Sequence, residues 1–245
     1  MDVTNQIIKL NHVKKIFNNQ KVIKDISITI KKNQFTVVVG PSGSGKSTML
    51  NVMSGLLTPS SGEVILDGKD ITKMSKDQIR LFRREHVGQI FQSYHLLSYL
   101  TARENIEIGA FKNQDLKNLD QLADLLKINH ILDKFPAELS GGEQQRIAIG
   151  RALIKKPKIL FCDEATGALD EENSKNVVKL IHHVKKKFNI TIVFITHNLE
   201  IAKTADEVIT VNNGEIYSVL ENKNPLDPDK MNLKYREDKI IGQYE

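Results

Sequence analysis

The chain has 245 residues, 40% hydrophobic and 27% charged, which suits one large α/β domain or one carrying an inserted subdomain. A single cysteine, Cys162, excludes an internal disulfide framework, and its place in an apolar stretch predicts a buried, inert thiol. The net charge of +5 comes from scattered lysines such as Lys31-Lys32, Lys155-Lys156 and Lys185-Lys186-Lys187, with no basic run interleaved by aromatics, so a solvated surface and no nucleic-acid partner are expected.

The first residues, MDVTNQIIKL, lack the apolar core of a secretory leader, and no stretch approaches the ~18 consecutive apolar residues of a membrane span. A cytoplasmic chain is expected, with any membrane role supplied by a partner. Strands are predicted over Ile7 to Val13, Val22 to Ile30 and Thr36 to Val39. The last is short, β-branched and without polar alternation, as in a strand buried on both faces. A helix is predicted from Lys46 to about Leu56, then strands over Glu63 to Leu66 and Val87 to Phe91. From Ala102 to about Lys134 the apolar spacing turns helical, with Leu116, Leu119, Leu122, Ala123 and Leu126 expected on one face. Strands return at Ile159 to Cys162 and Thr191 to Thr196, separated by a helical pattern over Asn173 to Lys187. That order implies a parallel sheet, because parallel neighbours need a crossover. The stretch from Glu221 to Glu245 is polar, carries Pro225 and Pro228, and predicts a loosely docked or mobile tail.

Three segments carry chemistry. GPSGSGKST comprises Gly40, Pro41, Ser42, Gly43, Ser44, Gly45, Lys46, Ser47 and Thr48, between a buried strand and a helix. It fits G-x-x-x-x-G-K-[ST], in which glycines let successive N–H groups converge on phosphate oxygens. The helix start adds a positive dipole end, Lys46 a point charge for the β- and γ-phosphates, and Ser47 a hydroxyl for Mg²⁺. ILFCDE, ending in Asp163 and Glu164, places two carboxylates at the carboxyl edge of a buried strand, where ligands bind. Asp163 is placed to hold Mg²⁺ and Glu164 to polarise the attacking water. Without the glycine-rich loop, such a pair reads more simply as a turn or helix cap. LSGGEQQR, from Leu139 to Arg146, opens another helix. Ser140 and Glu143 have capping-box spacing, but capping does not explain Gly141 and Gly142, since glycine in a first turn costs stability. Two glycines suit a backbone that something must approach closely, and one ATP does not need two phosphate cradles in one chain. Two chains sharing each nucleotide is the reading this suggests.

Together these segments resemble the nucleotide-binding subunits of ATP-binding-cassette (ABC) transporters over roughly Ile7 to Leu220: GPSGSGKST is similar to their Walker A, ILFCDE to their Walker B and LSGGEQQR to their signature motif. Gln92 falls at the Q-loop, where the family's glutamine contacts Mg²⁺ and faces the membrane partner. Asp170, in ALD, matches the D-loop, and His197 the switch histidine at the γ-phosphate. Phe17 stands where an aromatic, often Tyr, stacks on adenine. Singly, Gln92, His197 and Phe17 would pass as ordinary surface or core residues. The wording RREHVGQIFQSYHLL and ATGALD is most similar to the branch serving lipoprotein release, macrolide efflux and antimicrobial-peptide resistance. Ala165 stands where the family usually has Pro, a change expected to loosen the turn holding Glu164.

The resemblance implies an α/β P-loop NTPase core with a mainly parallel sheet, an antiparallel β subdomain and an inserted helical subdomain. The ATPase domain would span residues 1–220, with the insertion over about 93–150, leaving 221–245 as tail. It also implies ATP and Mg²⁺ as ligands, catalysis by Glu164, His197, Lys46 and Gln92, and a metal site of Ser47, Gln92 and Asp163. The implied assembly is a head-to-tail dimer with a second copy, in which Ser140, Gly141, Gly142 and Glu143 of one chain face the ATP of the other. A separate transmembrane permease on the inner face of the cell membrane is the implied partner. A regulatory role on a non-transporting membrane protein, as in the cell-division branch, is the alternative. A ribosome- or DNA-bound switch fits poorly, because the chain has one cassette and no long heptad run.

Overall fold

The computed structural model describes residues 5–233. Its centre is a six-stranded sheet of β3 (Phe35–Val39), β6 (Val87–Ile90), β7 (Ile159–Asp163), β8 (Thr191–Ile195), β9 (Glu207–Asn212) and β10 (Glu215–Glu221), in the order β10-β9-β3-β8-β7-β6. Its first two strands pair antiparallel, while β9, β3, β8, β7 and β6 are mutually parallel. A second, antiparallel sheet joins β1 (Gln6–Phe17), β2 (Gln20–Lys31), β4 (Ser61–Leu66) and β5 (Lys69–Asp70) in the order β2-β1-β4-β5.

The unalternated apolar strands have a direct cause. Successive side chains point to opposite faces, and here each face meets its own core. Phe35, Val37, Leu160, Cys162, Ile192 and Phe194 enter a core shared with the helices. Val38, Ile159, Phe161, Val193 and Ile195 enter one shared with the antiparallel sheet. Cys162 is fully buried, and that burial holds its thiol in the unreactive protonated form.

The helices are α1 (Lys46–Met53), α2 (Lys76–His86), α3 (Ala102–Glu107), α4 (Leu119–Leu126), α5 (Gly141–Leu153), α6 (Glu171–Phe188) and α7 (Leu199–Ala202). Between β6 and β7 the chain runs through α3, α4 and α5. Two expectations need correction here. Helix α1 ends at Met53 rather than near Leu56, because Gly55 takes a left-handed φ of 71° that ends the helical path. Leu116 does not share the buried stripe of α4. It lies in a 3₁₀ segment, Asn113–Asn118, whose tighter winding turns it outward to 40% exposure while Leu119, Leu122, Ala123 and Leu126 are buried.

The tail also differs from its expectation as far as Met231. Leu226 N–H donates to the Lys203 carbonyl at 2.8 Å, and Lys175 Nζ on α6 donates to the Met231 carbonyl at 2.8 Å. Met231 itself is buried in the helical-side core. Apolar side chains at Leu226 and Met231 thus dock a segment whose composition reads as polar. The remainder of the expected tail, 234–245, lies outside the described residues.

Candidate functional site

Strand β3 runs directly into the loop 40–45 and then α1, and its neighbour β8 separates it from β7. The carboxyl ends of β3, β8 and β7 therefore lie side by side, and the loop, His197 and the Asp163–Glu164 pair emerge at one edge of the sheet. Register fixes the match: Asp163 pairs with Ile195, two residues before His197.

The glycines of the loop answer to close contacts. Gly40 has φ 150°, and a Cβ there would lie 2.0 Å from the Val211 carbonyl oxygen of β9. Gly45 has φ 99°, and its Cβ would meet the Val22 carbonyl oxygen of β2 at 2.9 Å. Contact with β2 also brings the β1–β2 hairpin, which carries Phe17, beside the loop. Phe17 is 42% exposed, with Lys15 Nζ 4.9 Å from its ring centroid.

Lys46 is buried, and its ammonium donates to the carbonyls of Gly40 at 2.9 Å and Pro41 at 2.8 Å. Burial pulls its pKa down, against the upward pull of Glu164 and Asp163. Ser47 donates its hydroxyl to Asp163 Oδ1 at 3.0 Å. Burial raises the Asp163 carboxyl above its ordinary range, helped by Glu164 and opposed by Ser47 and Lys46. A hydroxyl and a carboxylate oxygen side by side form the hard oxygen pair that suits Mg²⁺ carried in on phosphates. The buried Ser44 hydroxyl has no hydrogen-bond partner, leaving a polar atom within the loop to serve a ligand. Ser42, Gly43 and the Pro41 ring are exposed on the loop, as is Ser47, while Thr48 is half-buried.

Glu164 follows β7 in a left-handed conformation, φ 46°, and donates its N–H to the Ile195 carbonyl at 3.2 Å. Its own carbonyl accepts from Gly167 N–H at 2.9 Å, closing the turn. Ala165, in this turn, is buried, and its carbonyl accepts from the fully buried Gln145 amide at 2.7 Å. Gln92 is exposed, its Nε2 2.8 Å from where a Cβ on Gly167 would stand, so its amide packs against this same turn. His197 is exposed beyond β8.

The second glycine segment forms its own cluster. Ser140 caps α5 through a complete capping box. Glu143 Oε2 accepts from the Ser140 N–H at 2.8 Å and hydroxyl at 2.6 Å, while Ser140 Oγ accepts from Glu143 N–H at 3.4 Å. Gly142 is buried against Asn173 of α6. Asp170 caps α6, accepting from Asn173 N–H at 2.8 Å and Asn173 Nδ2 at 2.6 Å. The hydrogen bonds of Ser140 and Glu143 stay within the start of α5, and those of Asp170 link to α6. Capping accounts for Ser140, Glu143 and Asp170 within one chain, while Gly142 answers to the close approach of Asn173 and Gly141 to that of the Tyr94 hydroxyl.

The ABC transporter family profile matches residues 23–167. This chain belongs to the ABC transporter family. It is 44% identical over 233 residues, 92% of its length, to a putative ABC transporter ATP-binding protein of Mycoplasma pneumoniae, and spans 50% of that protein. It is 39% identical over 203 residues to an uncharacterized ABC transporter ATP-binding protein of Methanocaldococcus jannaschii, covering 81% of this chain and 90% of that one. A macrolide export ATP-binding/permease protein, MacB, of Campylobacter jejuni is 39% identical over 217 residues, 86% of this chain and 34% of that protein. The chain spans about half the length of the first curated relatives it matches. Among solved structures it is similar to a dimeric, post-hydrolysis ATP-binding cassette bound to ADP and Pi, with a TM-score of 0.81 and 30% identity over 89% of this chain and 100% of that one. The core of the cassette is a P-loop NTPase fold.

Several residues of the cassette were not singled out by sequence reasoning. Gln145, Asn173 and Tyr94 support the site through Ala165, Gly142 and Gly141 respectively. Gln145 lies inside LSGGEQQR and Tyr94 inside RREHVGQIFQSYHLL, while Asn173 is marked by the sequence only as the start of a helical pattern. Among the described residues no helix is long and apolar enough to cross a membrane.

Proposed function

We propose that this chain binds and hydrolyses ATP with Mg²⁺ as half of a head-to-tail dimer, and so drives a membrane permease of exporter type. The observation that carries this reading is the Ser47–Asp163 contact at 3.0 Å beside Lys46 and Glu164, all at one sheet edge. The ATPase unit is assigned to residues 1–220, with 93–150 as its helical insertion. Lys46, now spent on two carbonyls, turns to the β- and γ-phosphates, and the N–H groups of Gly40 to Thr48 cradle the phosphate oxygens. Ser47, Asp163 and Gln92 hold Mg²⁺, which when bound neutralises charge on the phosphate oxygens. Phe17 stacks on the adenine. Glu164 orients the attacking water and accepts its proton, and His197 donates to the γ-phosphate.

The second copy supplies Ser140, Gly141, Gly142 and Glu143 at its α5 start, where unpaired N–H groups and a positive dipole end suit the γ-phosphate, with Asp170 beside them. A triphosphate touching both copies favours the closed dimer, whereas ADP leaves one surface without its contact. The permease is placed on a separate membrane chain, and this chain on the inner membrane face. Relatives named as macrolide export ATP-binding/permease proteins support the exporter branch. The test is Glu164→Gln, which is expected to keep ATP binding, lower turnover by roughly 10²–10⁴-fold and accumulate an ATP-dependent dimer by light scattering. Adding Ser140→Arg is expected to abolish the dimer while each chain still binds ATP. Near-normal turnover in the first variant, or a persistent dimer in the second, refutes the reading.

A further inference from the structure

We propose that Arg151 is a positioning residue that fixes the Gln92 loop onto α5, the helix that begins with the diglycine tip. This rests in part on the reading that Gln92 serves the metal site. Tyr94 and His95, just beyond Gln92, are both left-handed, with φ 55° and 50°. Neither is glycine or asparagine, so the pair is strained and persists only if its surroundings hold it. The hold is visible. The Arg151 guanidinium donates from Nη2 to the Tyr94 carbonyl and from Nη1 to the His95 carbonyl, each at 2.5 Å. A planar fork meets two successive carbonyls at once, which the single point of a lysine ammonium does not.

Arg151 is half-buried, burial lowers its pKa, and among the described residues no carboxylate pairs with it. Its charge is committed to the loop backbone. Its own backbone is locked as well, since a Cβ on Gly109, just beyond α3, would lie 2.0 Å from the Arg151 carbonyl oxygen. Two further contacts bracket the loop. The Tyr94 hydroxyl stands 3.1 Å from the Cβ position of Gly141. Fully buried Asn105 accepts from Leu97 N–H at 2.8 Å and donates to the Leu97, Leu100 and Thr101 carbonyls at 3.0 Å. At the other end the Gln92 amide packs against Gly167 in the turn closed by Glu164. A continuous set of contacts thus runs from the diglycine helix through Arg151, Tyr94 and His95 to Gln92 and the Glu164 turn. A shift of α5 moves the anchor of Gln92 with it.

The test uses the full chain with Arg151→Gln, Arg151→Lys, Gln92→Ala and the Arg151→Gln/Gln92→Ala double variant. Arg151→Gln is expected to speed amide exchange across 92–97 by about ten-fold without loosening the amides of β7 and β8. ATP affinity should stay within about two-fold, while turnover falls about ten-fold and more Mg²⁺ is needed for half-saturation. Arg151→Lys should restore only part of the loss, and the double variant should be no worse than Gln92→Ala. Unchanged exchange at 92–97 in both Arg151 variants overturns the proposal, and so do losses that multiply in the double variant. If Gln92→Ala is silent while Arg151→Gln still loosens 92–97, the metal role of Gln92 fails and the hold of Arg151 on the loop stands.

Discussion

Gly142→Ala separates what the fold needs from what the dimer needs. Gly142 is the second residue of α5 and is not among the left-handed glycines, so alanine adopts its backbone without strain. Replacing a helical glycine by alanine contributes up to about 1 kcal/mol. Against this, the new Cβ would lie 2.7 Å from Asn173 Oδ1 and 3.0 Å from Asn173 Cγ. That side chain must rotate, at a cost of about 1 kcal/mol, and loosen its bond to Asp170 Oδ2, at about 1 kcal/mol more. The net loss is about 1 kcal/mol, and since 1 kcal/mol moves Tm by about 2–4 °C in a chain of this size, Tm should stay within about 4 °C of the parent. In the proposed dimer, the methyl group and the Asn173 side chain it displaces crowd the helix start that the partner's triphosphate would approach. Thermal unfolding and light scattering with ATP, both in the Glu164→Gln background, provide the assay. The expected result is a parent-like Tm with the ATP dimer weakened by at least about ten-fold. A dimer with the parent's ATP dependence would refute the shared site, and a Tm loss above about 8 °C would make Gly142 a packing residue.

Two further outcomes concern the scaffold. His182 stacks on Phe35 at 4.3 Å and bonds Thr204 Oγ1 at 2.9 Å, and burial, aided by Lys185 against Asp206 and Asp227, lowers its pKa to about 4. It folds neutral, so its contribution is complete above the ordinary value of 6.5 and is lost as pH falls from there toward about 4. The loss is on the order of 3 kcal/mol at most. The urea midpoint should drop less between about pH 7.5 and about pH 4.5 in His182→Gln than in the parent, and equal drops would remove His182 as the acid-sensitive group. Met231→Ala should cost about 2 kcal/mol by urea unfolding, because the side chain is buried in the helical-side core. An unchanged midpoint would return the segment before Met231 to the status of a loose tail.

Much of the architecture was legible because it is written locally. The unalternated run at β3 announced a strand buried on both faces, and the apolar runs at β7 and β8 announced strands; β3 and β7 carry Val38 and Val37, or Phe161 and Leu160, into separate cores. The loop 40–48 and the carboxylates at 163–164 were legible as motifs whose residue types the chemistry demands. Elements with weaker patterns went unread. Helix α2 buries only Phe82, although its Ser75–Gln78 capping box was a visible start signal, and strands β9 and β10 left no comparable mark. The edge strand β10 leaves Tyr217, Val219 and Leu220 exposed, so it carries little burial pattern to read.

By itself, then, the order of residues determined the strand–helix alternation, the glycine-rich loop and the chemical groups at the strand ends. These depend on periodicity and turn chemistry within a few residues, which a linear text carries. Only the tertiary structure decided that Gly40 faces the Val211 carbonyl, that Arg151 grips the carbonyls of Tyr94 and His95, and that Met231 seats the segment after β10. Those contacts join residues far apart along the chain. Their existence depends on how whole layers pack, and no local pattern records the distance of closest approach.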